Sequence, residues 1–286
     1  MVMFTRSVFA FVVCLVLAGV GCSKKSPTSP SSAVVYTAIG ASDANGIGSS
    51  VECVPFTECP NGMGYVFVAT RQLQSQGFTV TLNNLGIPTA VISPEFQSLG
   101  TQHNRFIAAN FIEREAPFTS QDSTLVTIFA GGNEVNTVTS ALGNGAGGSN
   151  PVAYIDAQVR LFGTNFATLL GIVRGRAPSA KIVVLNLPNL AGLPYLTRTS
   201  LPQRQAAQRL SVGMTTTVIN PLASQNVTVI DLMCDARFYQ PSSFSSDGFH
   251  PNDAGYSFMA AEVVRAATGS YPAPQASCSQ MTLVPQ

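Results

Sequence analysis

VVYTAIGASDANGIG, Val34 to Gly48, runs from an apolar stretch without polar alternation straight into a cluster of Gly, Ser, Asp and Asn. A β-branched and aromatic run of this kind reads as a strand buried on both faces, as in a parallel sheet. The cluster behind it reads first as a turn. Four more runs share the pattern: Phe78–Leu82, Leu125–Ala130, Ile182–Leu187 and Val227–Leu232. Longer helical stretches separate them, Val66–Gln76, Tyr154–Arg174 and Gln203–Leu222, and Asp253–Ala267 follows the last strand. In the second of these, Ile155, Val159, Phe162, Phe166, Leu169, Leu170 and Val173 fall at steps of three and four, one apolar stripe of a helix. Strands alternating with helices predict an α/β fold, a three-layer α/β/α sandwich around a central parallel sheet of about five strands. In such sheets ligands bind in the crevice beyond the carboxyl ends of the strands.

Composition removes several function classes. The 286 residues carry a formal net charge of +1 with only 10% charged residues, so no basic field points to nucleic acid. At 45% hydrophobic, the body of the chain is not of a disordered type. At the N-terminus, Arg6 precedes an apolar run from Val8 to Val20, and Gly21-Cys22-Ser23 follows. That run is shorter than the roughly 20 residues a spanning helix needs and reads as a secretory signal. A cysteine directly after Ala18-Gly19-Val20-Gly21 resembles a bacterial lipoprotein signal in which Cys22 is lipidated, with Gly19 where such signals usually carry Leu. The expected organisation is therefore a signal over 1–21, a lipidated Cys22 with a Ser/Pro/Lys tether over 22–33, a domain over 34–270 and a tail over 271–286. The protein is expected to be exported and held to the bacterial cell envelope, at the outer membrane or cell surface, and to be monomeric.

Export changes how the cysteines are read. Without Cys14 and Cys22, four remain: Cys53, Cys59, Cys234 and Cys278. An even number outside the cytoplasm predicts two disulfides. Of the three pairings, Cys53–Cys59 with Cys234–Cys278 is expected, the first closing a local loop and the second pinning the C-terminal tail. The spacings do not suit zinc, and there are only two histidines. The glycines of GNGAGGSNP (Gly143, Gly145, Gly148) match a dinucleotide fingerprint in letters but lack its context, and read as a loop.

Nucleophilic serine chemistry needs a base, and only His103 and His250 are available. His103 has no neighbouring carboxylate partner and reads as a satisfied surface residue. His250 lies in SSDGFHPNDAGY, three residues after Asp247 and just before a helix start at Asn252/Asp253. Asp and His so spaced in a turn can set the carboxylate against one ring nitrogen and leave the other as a base. LVTIFAGGNEVN places Asn133 after two glycines where a strand gives way to a loop, a position from which its amide can reach the crevice.

Together these stretches resemble the SGNH, or GDSL-type, hydrolases over roughly Val34 to Ala267. The resemblance rests on IGASDANG against the Gly-Asp-Ser block, GGNE against the Gly-x-Asn-Asp block and DGFHPN against the Asp-x-x-His-Pro block. It implies a flavodoxin-like fold with Ser42 as nucleophile, His250 as base and later acid, and Asp247 orienting His250. The Ser42 amide and Asn133 would be oxyanion donors. The chain departs from the pattern at three places. Ala41 stands for the usual Asp, Glu134 for Asp, and in NNLGIPTAVI the family's oxyanion glycine is matched in register by Thr89, with Gly86 also present nearby.

The resemblance implies a hydrolase of carboxylic esters that works through an acyl-enzyme, with no metal or organic cofactor. Small-molecule or glycan-linked esters, with short acyl or acetyl groups favoured, are the expected substrates. Two alternatives stay open: a lipase for longer chains, rimmed by the insertion Asn45–Gly64, and a catalytically weak surface-anchored binding protein on the same fold.

Overall fold

A computed structural model describes residues 33–285. The signal, Cys22 and the tether lie outside the described residues. In chain order the elements are β1 (Ala33–Ile39), α1 (Ser42–Asn45), α2 (Tyr65–Ser75), β2 (Thr79–Asn84), α3 (Pro94–Gln102), α4 (Phe111–Arg114), β3 (Leu125–Phe129), α5 (Gly132–Gly143), α6 (Pro151–Arg176), β4 (Lys181–Leu185), α7 (Leu201–Gly213), β5 (Thr228–Ile230) and α8 (Asp253–Thr268). All five strands pair in parallel in the order β2-β1-β3-β4-β5. In register, Tyr36 faces Leu82 on one side and Leu125 on the other, and Val184 faces Val229. Parallel strands need crossovers, and the helices supply them. α2 packs against α8 on one face of the sheet, while α5 and α7 pack with α3 and α6 on the other. The apolar runs are dry as their composition requires: Ile39, Val126, Ile128, Val183, Val184 and Leu185 are fully buried. Each such side chain contributes about 1.5–3 kcal/mol relative to an exposed one.

The strand order reverses at β1. The chain moves outward to β2 and then returns to the other side for β3, so the carboxyl ends of β1 and β3 open a crevice between neighbouring loops. Everything that carries chemistry in the sequence reading leaves the sheet at this end.

Several boundaries differ from the sequence expectation. The stripe of α6 is buried as expected, and α3 and α5 are two further helices beyond those expected from the sequence. The segment after GGN is a helix rather than a loop, because Gly131 at φ 119° turns the chain directly into α5. The stretch expected as one helix to Leu222 holds α-geometry only to Gly213, then loosens into a wider π-turn and tightens to 3₁₀ from Asn220. Pro221 has no amide to continue the ladder, which accounts for the end of regular geometry there.

Both disulfides form in the expected pairing, Cys53–Cys59 and Cys234–Cys278. The C-terminal segment is part of the domain. Val284 is buried, its amide donates to Gln208 Oε1 at 2.9 Å, and Gln208 Nε2 donates back to Val284 O at 2.7 Å. Among the described residues no helix is long and apolar enough to cross a membrane.

Candidate active site

Ser42 is the first residue of α1, three residues past the end of β1, and only 6% exposed. Its Oγ lies 2.9 Å from His250 Nε2. His250 Nδ1 lies 2.6 Å from Asp247 Oδ2. A carboxylate can only accept, so Nδ1 carries the hydrogen donated to Asp247, and Nε2 is the ring nitrogen that faces the serine hydroxyl. The turn that makes this possible is local. Ser245 N donates to His250 O at 2.9 Å, Gly248 N donates to Ser245 O at 3.0 Å, and Gly248 adopts φ +70°. A Cβ at Gly248 would sit 2.7 Å from Tyr195 N, so glycine is required for space as well as for conformation. Asn252 then caps α8 through Ala254 N and Gly255 N, fixing the direction in which the chain leaves the site.

Asp247 is held as an anion. Burial alone would raise its pKa, but hydrogen bonds from the His250 ring, the amides of His250 and Phe249, and Ser245 Oγ bring it down to about 2. Gly48 seats the disulfide-bearing loop directly on this turn, since a Cβ there would lie 2.8 Å from His250 Cβ. Ser50 ties the same loop to Asp253 through its amide (2.7 Å) and hydroxyl (2.6 Å).

Asn133 is the second residue of α5 and lines the same cleft as Ser42. Its Nδ2 donates one hydrogen to Ala90 O at 2.9 Å, which leaves the second for another acceptor. The two other residues weighed as oxyanion donors part company. Gly86 has its amide on Asn84 Oδ1 (3.2 Å) and its carbonyl on Asn45 Nδ2 (2.7 Å). It packs so closely that a Cβ would meet Ala44 Cβ at 2.6 Å. Its role is close contact beneath α1, and its amide is already committed. Thr89 adopts φ +67°, the left-handed conformation that a glycine takes freely and a β-branched residue rarely does. Its hydroxyl accepts from Ala108 N at 3.0 Å, and its own amide has no protein acceptor among the described residues.

Two buried glutamates that the sequence reading gave no such role knit these loops together. Glu134 accepts from Gly131 N at 2.9 Å and, through its other oxygen, from Ile92 N, so it joins the Asn133 loop to the Thr89 loop. Burial raises its pKa to about 7, against the lowering effect of those amides. Glu115 accepts from Gly40 N at 2.9 Å. The sequence signal for such a residue is weak, because a lone Glu in REAPF looks like any surface acid. His103, expected to be uninvolved, ends α3 and has no side-chain hydrogen bond among the described residues.

The cleft opens to solvent, and its cavity volume is only about 40 Å³. Its lining combines apolar side chains, among them Leu187, Leu190, Phe129 and Phe249, with Ser42, Asn133, Gly131 and Gly132. Among the described residues no group of three or more His, Cys, Asp or Glu is gathered where it could hold a metal.

A parallel α/β sandwich with Ser, His, Asp and Asn converging at its switch point is the arrangement of a serine-type ester hydrolase. The family model of the GDSL-like lipase/acylhydrolase family matches residues 38–258, and the chain belongs to that family. It is a carboxylic ester hydrolase. No curated protein sequence matches. Among solved structures, the lipase Lip_vut3 from a goat rumen metagenome superposes with TM-score 0.54 at 19% identity, covering 82% of this chain and 98% of that one. An extracellular lipase of Streptomyces rimosus gives TM-score 0.54 at 17% identity, covering 82% and 100%. A variant of Axe2, an acetyl xylan esterase of Geobacillus stearothermophilus, gives 0.51 at 16%, covering 85% and 98%. At these identities the likeness concerns the fold.

Proposed function

We propose that Ser42, His250 and Asp247 act as a catalytic triad on short-acyl esters outside the cytoplasm. The continuous chain Ser42 Oγ–His250 Nε2 (2.9 Å) and His250 Nδ1–Asp247 Oδ2 (2.6 Å) carries this reading. Ser42 Oγ attacks the ester carbonyl carbon while its proton passes to His250 Nε2. Asp247, ionised and held by four donors, steadies the imidazolium. The oxyanion is met by the Ser42 amide, the Thr89 amide and the remaining hydrogen of Asn133 Nδ2. His250 returns its proton to the departing alcohol. Water then attacks acyl-Ser42, again with His250 as base, and the acid leaves as the proton returns to Ser42 Oγ.

Acetyl or other short-acyl esters, small or carried on envelope or environmental glycans, suit a small, solvent-open cleft of mixed lining. A lipase is the second reading, favoured by the apolar lining residues and by Val54 and Phe56, both 67% exposed on the disulfide loop. Initial rates on p-nitrophenyl esters of two, four, eight and twelve carbons separate the two. An optimum at two or four carbons supports the esterase, and an optimum at eight or beyond supports the lipase.

Export and attachment through lipidated Cys22 complete the proposal, supported by the N-terminal pattern and by two disulfides. A Cys22→Ala variant that still fractionates with membranes contradicts the anchor.

A further inference from the structure

The nucleophile turn lacks the acidic residue that usually precedes the serine, since Ala41 stands there. The structure supplies a carboxyl from 75 residues away instead: Gly40 N donates to Glu115 Oε2 at 2.9 Å. Gly40 is the first residue beyond β1, where the sheet ladder no longer provides an acceptor for its amide. Its carbonyl is held as well, by Ile87 N at 3.2 Å, from the loop that leads to Thr89. The peptide groups flanking Gly40 are therefore gripped on both sides, two residues before Ser42.

We propose that Glu115 is a positioning residue that fixes the Gly40–Ser42 turn and so sets the direction of Ser42 Oγ; this rests on Ser42 being the nucleophile. Its placement is built for the purpose. α4 is capped by Asn110, Glu115 N donates to Phe111 O at 3.1 Å, and Phe118 N donates to Glu115 O at 2.9 Å, so the backbone on both sides is fixed. The side chain is 0% exposed, and its second oxygen, Oε1, is buried without a hydrogen-bond partner among the described residues. A buried carboxyl with an idle oxygen is costly, and what offsets that cost is the acceptor it gives to the buried Gly40 N–H. Burial pushes the Glu115 carboxyl well above the usual carboxylate range, against the lowering effect of the Gly40 and Ile87 amides. Glutamine, whose side-chain oxygen can accept from Gly40 N at the same reach, is its closest substitute. Glu134 performs the corresponding service one loop further on, with both oxygens occupied.

The test compares Glu115→Gln, Glu115→Met and Glu115→Asp by kcat and KM on p-nitrophenyl acetate, melting temperature and rate of fluorophosphonate labelling. Glu115→Gln keeps an acceptor at the right reach, and its kcat should stay within about 3-fold of the parent. Glu115→Met keeps the volume but accepts nothing. Its kcat and labelling rate should fall about 10- to 100-fold, with KM within about 2-fold and the protein still fully folded at the assay temperature despite a lower melting temperature, since a small misplacement of a reacting group has effects of that size. Should Glu115→Met not fold, the shorter Glu115→Asp, which cannot span to Gly40 N, should show the same loss in kcat. A folded Met or Asp variant with parental kcat overturns the proposal, as does a loss that only follows the unfolded fraction. Ser42→Ala, run alongside, separates the two readings. If it stays active the nucleophile is wrong; if it is dead while Glu115→Met is fully active, only the positioning role fails.

Discussion

Asp247 gives one oxygen wholly to the ring of His250, at 2.6 Å, and the other to three donors: Ser245 Oγ at 2.8 Å, Phe249 N at 2.8 Å and His250 N at 2.9 Å. The carboxylate is thus fixed by the backbone of the residue it serves. Replacing it with Asn keeps the size but offers one oxygen and one NH₂ to sites that all donate. Asp247→Asn should lower kcat by about 10⁴-fold, as a mis-set tautomer does. The sign of the pH effect follows from its depressed pKa. The charged form is fully present above the ordinary value of 3.8 and is lost only as pH falls through about 2. Steady-state kinetics from pH 5 to 9 should therefore show a deficit at every pH; a deficit confined to the acid side would count against this assignment.

Ser42 and His250 act on one proton, so their removal should not add. Ser42→Ala and His250→Ala are each expected to reduce kcat by about 10³- to 10⁶-fold, and the double variant by no more than the worse single. Multiplicative losses would mean the two residues work independently.

Thr89 sits at φ +67°, a strain on the order of 1–3 kcal/mol for a β-branched residue. Thr89→Gly relieves it while keeping the amide. The hydroxyl contact to Ala108 N that is lost is solvent-accessible, so its removal costs little. Melting temperatures should rank Gly at or above Thr, and Ala below both. An Ala variant as stable as Gly would show that the conformation is not strained.

Glu134 makes stability depend on pH. Its pKa is raised from 4.5 to about 7, so between those values the folded chain holds a proton that the unfolded chain has released. Its contribution therefore declines as pH rises across that window and is constant above it. Glu134→Gln should flatten the fall in melting temperature between pH 4.5 and 7, although it lowers the value at the acid end by spoiling one of two acceptors. An unchanged slope would place the titration elsewhere.

The Cys234–Cys278 bridge closes a 44-residue separation, against 6 for Cys53–Cys59. Chain entropy assigns the longer loop roughly 4 kcal/mol and the shorter roughly 2 kcal/mol. The longer bridge also seats the tail, where Asn189 Nδ2 holds Gln280 O at 2.8 Å and Leu283 packs on Gly192 beside the apolar lining of the cleft. Cys234→Ser/Cys278→Ser should thus show the larger drop in melting temperature and a raised KM. Equal effects of the two pairs would contradict the role of the tail.

The sheet was legible because fully buried parallel strands carry unbroken apolar runs, as in Val34–Ile39 and Leu125–Phe129. Residues joined by short local turns were legible too, since Asp247 and His250 share one turn and Ser42 follows a strand directly. α5 was hidden because Gly131-Gly132-Asn133 has turn composition, and only the left-handed Gly131 shows the chain entering a helix. The splitting of Gly86 from Thr89 was hidden because an amide's direction depends on φ, not on residue type. Glu115 was illegible for a different reason: its partner is a backbone amide 75 residues away, and no side-chain pattern encodes such a contact.

The most direct test of the central claim is fluorophosphonate labelling of the disulfide-intact domain, with the adduct mapped by peptide mass spectrometry. One adduct on the peptide containing Ser42, absent from Ser42→Ala and slowed by at least about 100-fold in His250→Ala, is the expected result. An adduct on another residue, or undiminished labelling of Ser42→Ala, would contradict it.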